Sequence, residues 1–153
     1  LRALFANVPV LDTGARASTM TFVQRGIGDV LLAWESEALL ASDELGANRF
    51  DIVMPSLSVL AEPPVAVVER NARRHGTSAL ARAYLEYLYS PAAQEIAAQH
   101  HFRPSLPAVA AKYAAKFPEV RLLSIRDFGG WQAAQAKHFD DGGLFDRILE
   151  RRQ

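Results

Sequence analysis

Between Leu11 and Trp34 the chain carries two features whose chemistry suits an oxygen-rich anion. The first is the run Thr13-Gly14-Ala15-Arg16-Ala17-Ser18-Thr19, which follows a predicted strand and opens a predicted helix. The first backbone N–H groups of a helix have no internal acceptor, and the helix macrodipole places partial positive charge there. Gly14 allows a tight turn and lets a ligand approach the main chain. Together these features make an anion site. Arg16 adds a cation close by, and Ser18 and Thr19 add hydroxyl donors set further into the helix. The same residues also punctuate ordinary strand-to-helix turns, so they do not by themselves require a ligand. The second feature is Trp34, at the C-terminal end of a predicted central strand. Ligands of open α/β sheets collect beyond such strand ends. An indole N–H donates and does not accept, which suits an oxyanion. The competing reading is a core or rim tryptophan.

Other residues offer less. His75, His100, His101 and His138 are scattered without metal-ligand spacing and read as surface or capping residues. Ser18, Ser36 and Ser78 lack a nucleophile-elbow motif. Asp140-Asp141-Gly142-Gly143 lacks the spacing and terminal Glu of a calcium loop and reads as a turn. Gly129-Gly130-Trp131 reads as a tight helix entry with a packing tryptophan. Glu35 and Glu37 read as charges that complement a helix start, and Arg73-Arg74 as a solvated patch. No catalytic constellation assembles from these residues, and an enzyme is not expected.

The elements that would position the anion site follow an α/β pattern. Val8 to Leu11 reads as a strand, and a helix opens near Ala15 with Met20, Val23 and Ile27 facing inward, stopped by Gly26 or Gly28. Val30 to Trp34 is an uninterrupted apolar run, as in a strand buried on both faces. Ser36 is the expected cap of the next helix, whose Leu39, Leu40 and Leu45 face inward before Gly46. Phe50 to Met54 reads as a strand ended by Pro55, and Ser56 to Pro64 as a connector holding a lobe boundary near residues 58 to 64. Val65 to Val68 is strongly β-like. Helices then dominate. Leu80, Tyr84, Leu85 and Leu88 form one apolar stripe; Ser90-Pro91 caps a helix to about His100; and Pro107 opens another through Lys116. Val120 to Ile125 is a strand or an extended segment, followed by helices from Trp131 to Phe139 and from Leu144 to Leu149.

Composition narrows the classes further. The 153 residues are 50% hydrophobic and 22% charged, too apolar for a disordered chain and long enough for a real core. Seventeen basic residues balance seventeen acidic ones, which argues against a nucleic-acid partner. No apolar run approaches the roughly 20 residues of a membrane span. There is no Cys, so disulfides, thiolate catalysis and Cys-bound metals are excluded. The chain begins at Leu1 without a signal pattern and is expected to be an internal piece of something longer.

From about Leu4 to Ile148 the chain resembles the C-terminal half of the periplasmic sulfate-binding proteins of ABC transporters, a family that includes thiosulfate binders. The resemblance is carried by Leu11-Asp12-Thr13-Gly14-Ala15-Arg16, by the run from Phe22 to Leu31, and by Ala33-Trp34-Glu35. Ile52-Val53-Met54-Pro55-Ser56, Leu88-Tyr89-Ser90-Pro91, Arg103-Pro104 and Phe128-Gly129-Gly130-Trp131 extend it, with His138-Phe139 and Asp141-Gly142-Gly143 at the end. It implies a type II periplasmic-binding-protein fold, of which this chain is part. Residues 1–60 would be the C-terminal part of the second α/β lobe. Residues 61–153 would be a crossing strand and the C-terminal helical part of the first lobe. It also implies a periplasmic location, a membrane permease as partner, an N-terminal half of the same protein, and no metal or other cofactor. By motif position, Ala15 matches a backbone donor, Trp34 an indole donor, and Arg16 a neighbouring arginine that compensates charge near the ligand; Gly14 opens the donor helix. Thr13 and Ala17 stand where serine and glycine are common in the family.

A site made only of donors suits sulfate, which carries no proton at neutral pH. Hydrogen phosphate brings an O–H that needs an acceptor, and leaving it unpaired costs about 1–3 kcal/mol. A carboxylate such as Asp12 facing the anion would favour a protonated ligand instead. The alternatives weighed against a transport receptor are the anion-sensing effector domain of a transcriptional regulator, a binder of molybdate or phosphate, and an enzyme acting on sulfate or phosphate esters.

Overall fold

The computed structural model describes residues 1–46 and 49–150. The elements run α1 (Arg2–Ala6), α2 (Ala15–Arg25), α3 (Glu35–Leu45), β1 (Leu57–Val59), α4 (Glu69–Arg74), α5 (Ser78–Tyr87), α6 (Pro91–Gln99) and α7 (Pro107–Lys112). Then come β2 (Arg121–Leu123), a 3-10 turn (Ile125–Phe128), α8 (Trp131–His138) and α9 (Leu144–Leu149). The strands β1 and β2 pair in parallel, Leu57 opposite Arg121 and Val59 opposite Leu123. Parallel strands need a long crossover, and the helices α4 to α7 supply it.

The helices form where their punctuation predicts. Gly26 ends α2 at φ 65°, in the left-handed region that favours glycine, and its N–H bonds the Phe22 carbonyl. Val23 is buried and Met20 half-buried, but Ile27 falls beyond the helix and is exposed; the inner face of α2 is completed instead by Thr19 and Thr21. Ser36 does not cap α3. Trp34 holds the extended backbone of the cap position, at φ −63° and ψ 144°, so the helix starts at Glu35 and Ser36 lies within its first turn. Ala41 is sealed within the packed pair of α2 and α3, Leu39 and Leu40 are half-buried, and Gly46 ends the helix as expected. The side chain of Leu45 lies outside the described residues. The Ser90 hydroxyl accepts the Ala93 N–H at 3.2 Å with Pro91 at the first helical position, a cap that contributes about 1 kcal/mol. In α7 the helix proper ends at Lys112, and turns carry the chain through Lys116 to the buried Phe117. The 3-10 turn is closed by a reciprocal box between Ser124 and Asp127; the bond from the Ser124 N–H holds the Asp127 carboxyl below its ordinary range. The turn reading of Asp140 to Gly143 holds: it splits α8 from α9, and the Gly142 N–H bonds the Asp146 carboxylate at 2.9 Å.

The strands are where the α/β expectation departs from the structure. Val8 to Leu11, Val30 to Trp34, Phe50 to Met54 and Val65 to Val68 form no strand. Val30 is 79% exposed and Leu32 77%, with Leu31 only half-buried, so the run expected to be buried on both faces is fully buried on neither; Val53 in the next run is 84% exposed. The physical reason is that a strand's hydrogen bonds come from a neighbour, about 4.8 Å away. Among the described residues only β1 and β2 meet. The expected connector from Ser56 to Pro64 contains β1, because its backbone finds β2. The apolar stripe of α5 forms but is only partly covered, with Leu80 and Tyr84 exposed and Leu85 and Leu88 half-buried.

Packing ties the two parts of the chain. Phe5 of α1 meets Phe145 of α9 edge-on, with ring centroids 5.9 Å apart. Glu35 and Asp43 of α3 pair with Arg103 and His101. His101 is 8% exposed with φ 70°, so it is not the surface or capping residue expected from sequence; it is enclosed beyond the end of α6. Trp131 opens α8 as expected but is 69% exposed, so it does not pack as a core tryptophan.

Candidate anion site

Gly14 caps α2 with φ −169° and ψ 161°, extended backbone that any residue adopts. The tight-turn role expected of it is therefore absent. A Cβ added at Gly14 would meet no protein atom within 4 Å, so the space before the helix is open. No side chain among the described residues caps the helix. The first intrahelical bond from this end runs from the Ser18 N–H to the Gly14 carbonyl at 3.1 Å, which leaves the N–H groups of Ala15, Arg16 and Ala17 without an acceptor among the described residues. Three convergent donors at a helix start form the positive pole that binds anions.

The two hydroxyls do not join them. The Ser18 hydroxyl donates to the Gly14 carbonyl at 3.3 Å, and the Thr19 hydroxyl to the Ala15 carbonyl at 3.1 Å. Both are folded back onto the helix, as Ser and Thr do inside one.

Arg16 turns sideways to α3. Its guanidinium bonds Glu44 at 2.5 Å and lies 3.6 Å from Glu37. The hydrogen bond to Glu44, with the charges of both carboxylates, raises its pKa above the ordinary arginine value. Its charge is thus engaged by protein carboxylates beside the helix start. Glu37 also lies 3.4 Å from the Thr19 hydroxyl oxygen, whose one proton it shares with the Ala15 carbonyl, and with the Arg16 pair this brings the first turns of α2 and α3 together. Sequence reasoning treated Glu37 as a dipole charge and missed Glu44. The signal was available: positions 37 and 44 are seven residues, about two turns, apart and share a face of α3.

Trp34 stands at the cap of α3, 59% exposed, and its indole N–H has no hydrogen-bond partner among the described residues. That excludes a buried core position and leaves a rim tryptophan as the competing reading. It also replaces the expected strand end with a helix start. Glu35 and Glu37 occupy the first turn of α3, as their dipole role predicts, but each also holds an arginine. Asp12, half-buried, makes no hydrogen bond or ion pair among the described residues. An open apolar groove of about 660 Å³ lies elsewhere, between residues 66–68, α4 and α5, and contains none of the candidate donors. No helix among the described residues is long and apolar enough to cross a membrane.

Unpaired main-chain donors at one helix start and an uncommitted indole at the next are groups that a small anion can accept from. The family model for bacterial extracellular solute-binding proteins matches residues 1–103, and the chain belongs to that family, which implies the periplasmic-binding-protein fold. It is 57% identical over 152 residues to the sulfate-binding protein of Escherichia coli, covering 99% of this chain and 46% of that one. It is 50% identical to the thiosulfate-binding protein of Pseudomonas aeruginosa, covering 95% of this chain and 44% of that one. It is 42% identical to the sulfate-binding protein of Synechocystis, covering 97% and 42%. The chain thus spans about half the length of the curated relatives it matches.

Proposed function

We propose that this chain is the C-terminal half of the substrate-binding component of an ABC transporter, which captures sulfate or thiosulfate in the periplasm and delivers it to a membrane permease. It binds its ligand and does not transform it. The observation that carries the reading is the set of three acceptor-free N–H groups at Ala15, Arg16 and Ala17, in a chain whose relatives are named for sulfate and thiosulfate. In this reading the anion sits against the start of α2 and receives the Ala15 N–H and the Trp34 indole N–H. Gly14 leaves room for its approach, and Arg16, held by Glu37 and Glu44, supports the charge from the side.

The fold follows the type II arrangement, with residues 1–60 in the second lobe and 61–153 forming the crossing strand and helical part of the first. The N-terminal half supplies the remaining donors and the strands that the exposed runs at 30–34 and 50–54 lack. A site of donors alone prefers an unprotonated anion, because a ligand O–H would find no acceptor there.

Calorimetry on the full-length protein tests the assignment. Trp34→Phe keeps the ring and removes the N–H donor. It is expected to weaken sulfate binding by about 1.5–3 kcal/mol, the worth of a hydrogen bond to a charged group. Unchanged affinity would remove Trp34 from the site.

A further inference from the structure

The start of α3 is held by a residue far along the chain. Arg103 donates two bonds to Glu35, Nη2 to Oε1 at 2.6 Å and Nε to Oε2 at 3.0 Å, a fork on a carboxylate. Both side chains are about three-quarters enclosed, at 30% and 24% exposure. Arg103 is itself fixed. Its Nη1 donates to the carbonyls of Pro118 at 3.0 Å and Phe117 at 3.4 Å, and the guanidinium lies 5.4 Å from the Phe117 ring centroid. The segment carrying it is pinned on either side. The buried His101 Nε2 lies 3.3 Å from Asp43 in the last turn of α3, and the Ser105 N–H bonds the Gln94 side chain at 2.8 Å.

Glu35 directly follows Trp34, whose carbonyl accepts the Ala38 N–H at 3.0 Å. With no hydrogen bond to the indole among the described residues, the α3 start sets the direction of the Trp34 Cα–Cβ bond and so the region its N–H can reach. We propose that Arg103 is a positioning residue for the anion site: through its fork on Glu35 it fixes the start of α3 and so holds the Trp34 indole on the ligand. The inference rests on the reading of Trp34 as a donor. It also joins the two lobes: residue 103 belongs to the helical part and Trp34 to the part that carries α2.

A purely electrostatic role predicts the opposite pattern. Glu35 is a negative charge one residue from an anion donor, and Arg103 a positive charge beside it. If charge alone mattered, Glu35→Gln would tighten sulfate binding and would restore affinity to Arg103→Ala. Positioning predicts that both single variants weaken binding and that the double variant is no weaker than Arg103→Ala alone, since each breaks the same link.

The test is sulfate calorimetry on the full-length protein, with the Trp34 indole N–H resonance, assigned by its loss in Trp34→Phe, as a second readout. Arg103→Ala is expected to weaken binding about tenfold and to shrink the sulfate-induced shift of that resonance. Arg103→Lys, keeping the charge without the fork, restores part of both. Glu35→Gln keeps Arg103 on the Phe117 and Pro118 carbonyls and carries the test should Arg103→Ala fail to fold. Tighter binding by Glu35→Gln, or normal binding by Arg103→Ala alongside weakened binding by Trp34→Phe, overturns the positioning role and leaves the site standing. Normal binding by Trp34→Phe removes Trp34 from the site and overturns the inference with it, while the Ala15 donor stands or falls by its own variant.

Discussion

Replacing Ala15 by proline is expected to weaken sulfate binding by the full-length protein by about 1.5–3 kcal/mol, roughly 10- to 150-fold, while α2 stays intact. Proline is well tolerated at the first position of a helix, where the missing N–H has no intrahelical acceptor to lose. The residue before a proline must be extended, and Gly14 already is, at φ −169° and ψ 161°. The substitution therefore removes one donor and leaves the rest of the helix unchanged. Calorimetry gives the affinity, and far-ultraviolet circular dichroism checks the helix. Retained affinity with an intact helix would show that the Ala15 N–H does not touch the anion.

The 153-residue chain on its own is expected to bind sulfate at least about 100-fold more weakly than the full-length protein. The reason is solvation. A dianion against a single wall keeps water on its other side, so the exchange of water for amide donors is incomplete. Two further charge-assisted donors, each contributing about 1.5–3 kcal/mol, account for a hundredfold or more. Titration of the isolated chain by calorimetry checks this. Binding as tight as that of the full-length protein would mean that one wall suffices, against a two-walled cleft.

Much of this molecule was legible in its sequence because helices announce their own ends. Gly26, Gly46 and Ser90-Pro91 mark boundaries through local backbone chemistry, and the structure places them at those boundaries. Strands announce only a tendency. The run from Val30 to Trp34 is as apolar as a central strand, yet its pairing depends on a neighbour that local composition does not contain. The site shows the same division. The helix start at Ala15 was readable because its signals lie in consecutive residues. The partners of Arg16 were half readable: the spacing of Glu37 and Glu44 marks a face of α3, but not that this face meets α2. The pairing of Arg103 with Glu35 joins residues 68 positions apart and left no local sign. Nor did anything distinguish the exposed His100 from the buried His101 before the chain's path after α6 was known.

The most direct measurement is a crystal structure of the full-length protein with sulfate bound. Sulfate oxygens within hydrogen-bonding distance of the Ala15 main-chain nitrogen and the Trp34 indole nitrogen are the predicted result, with Arg16 still on Glu37 and Glu44. Sulfate bound elsewhere, with both of those nitrogens facing water, would contradict the account.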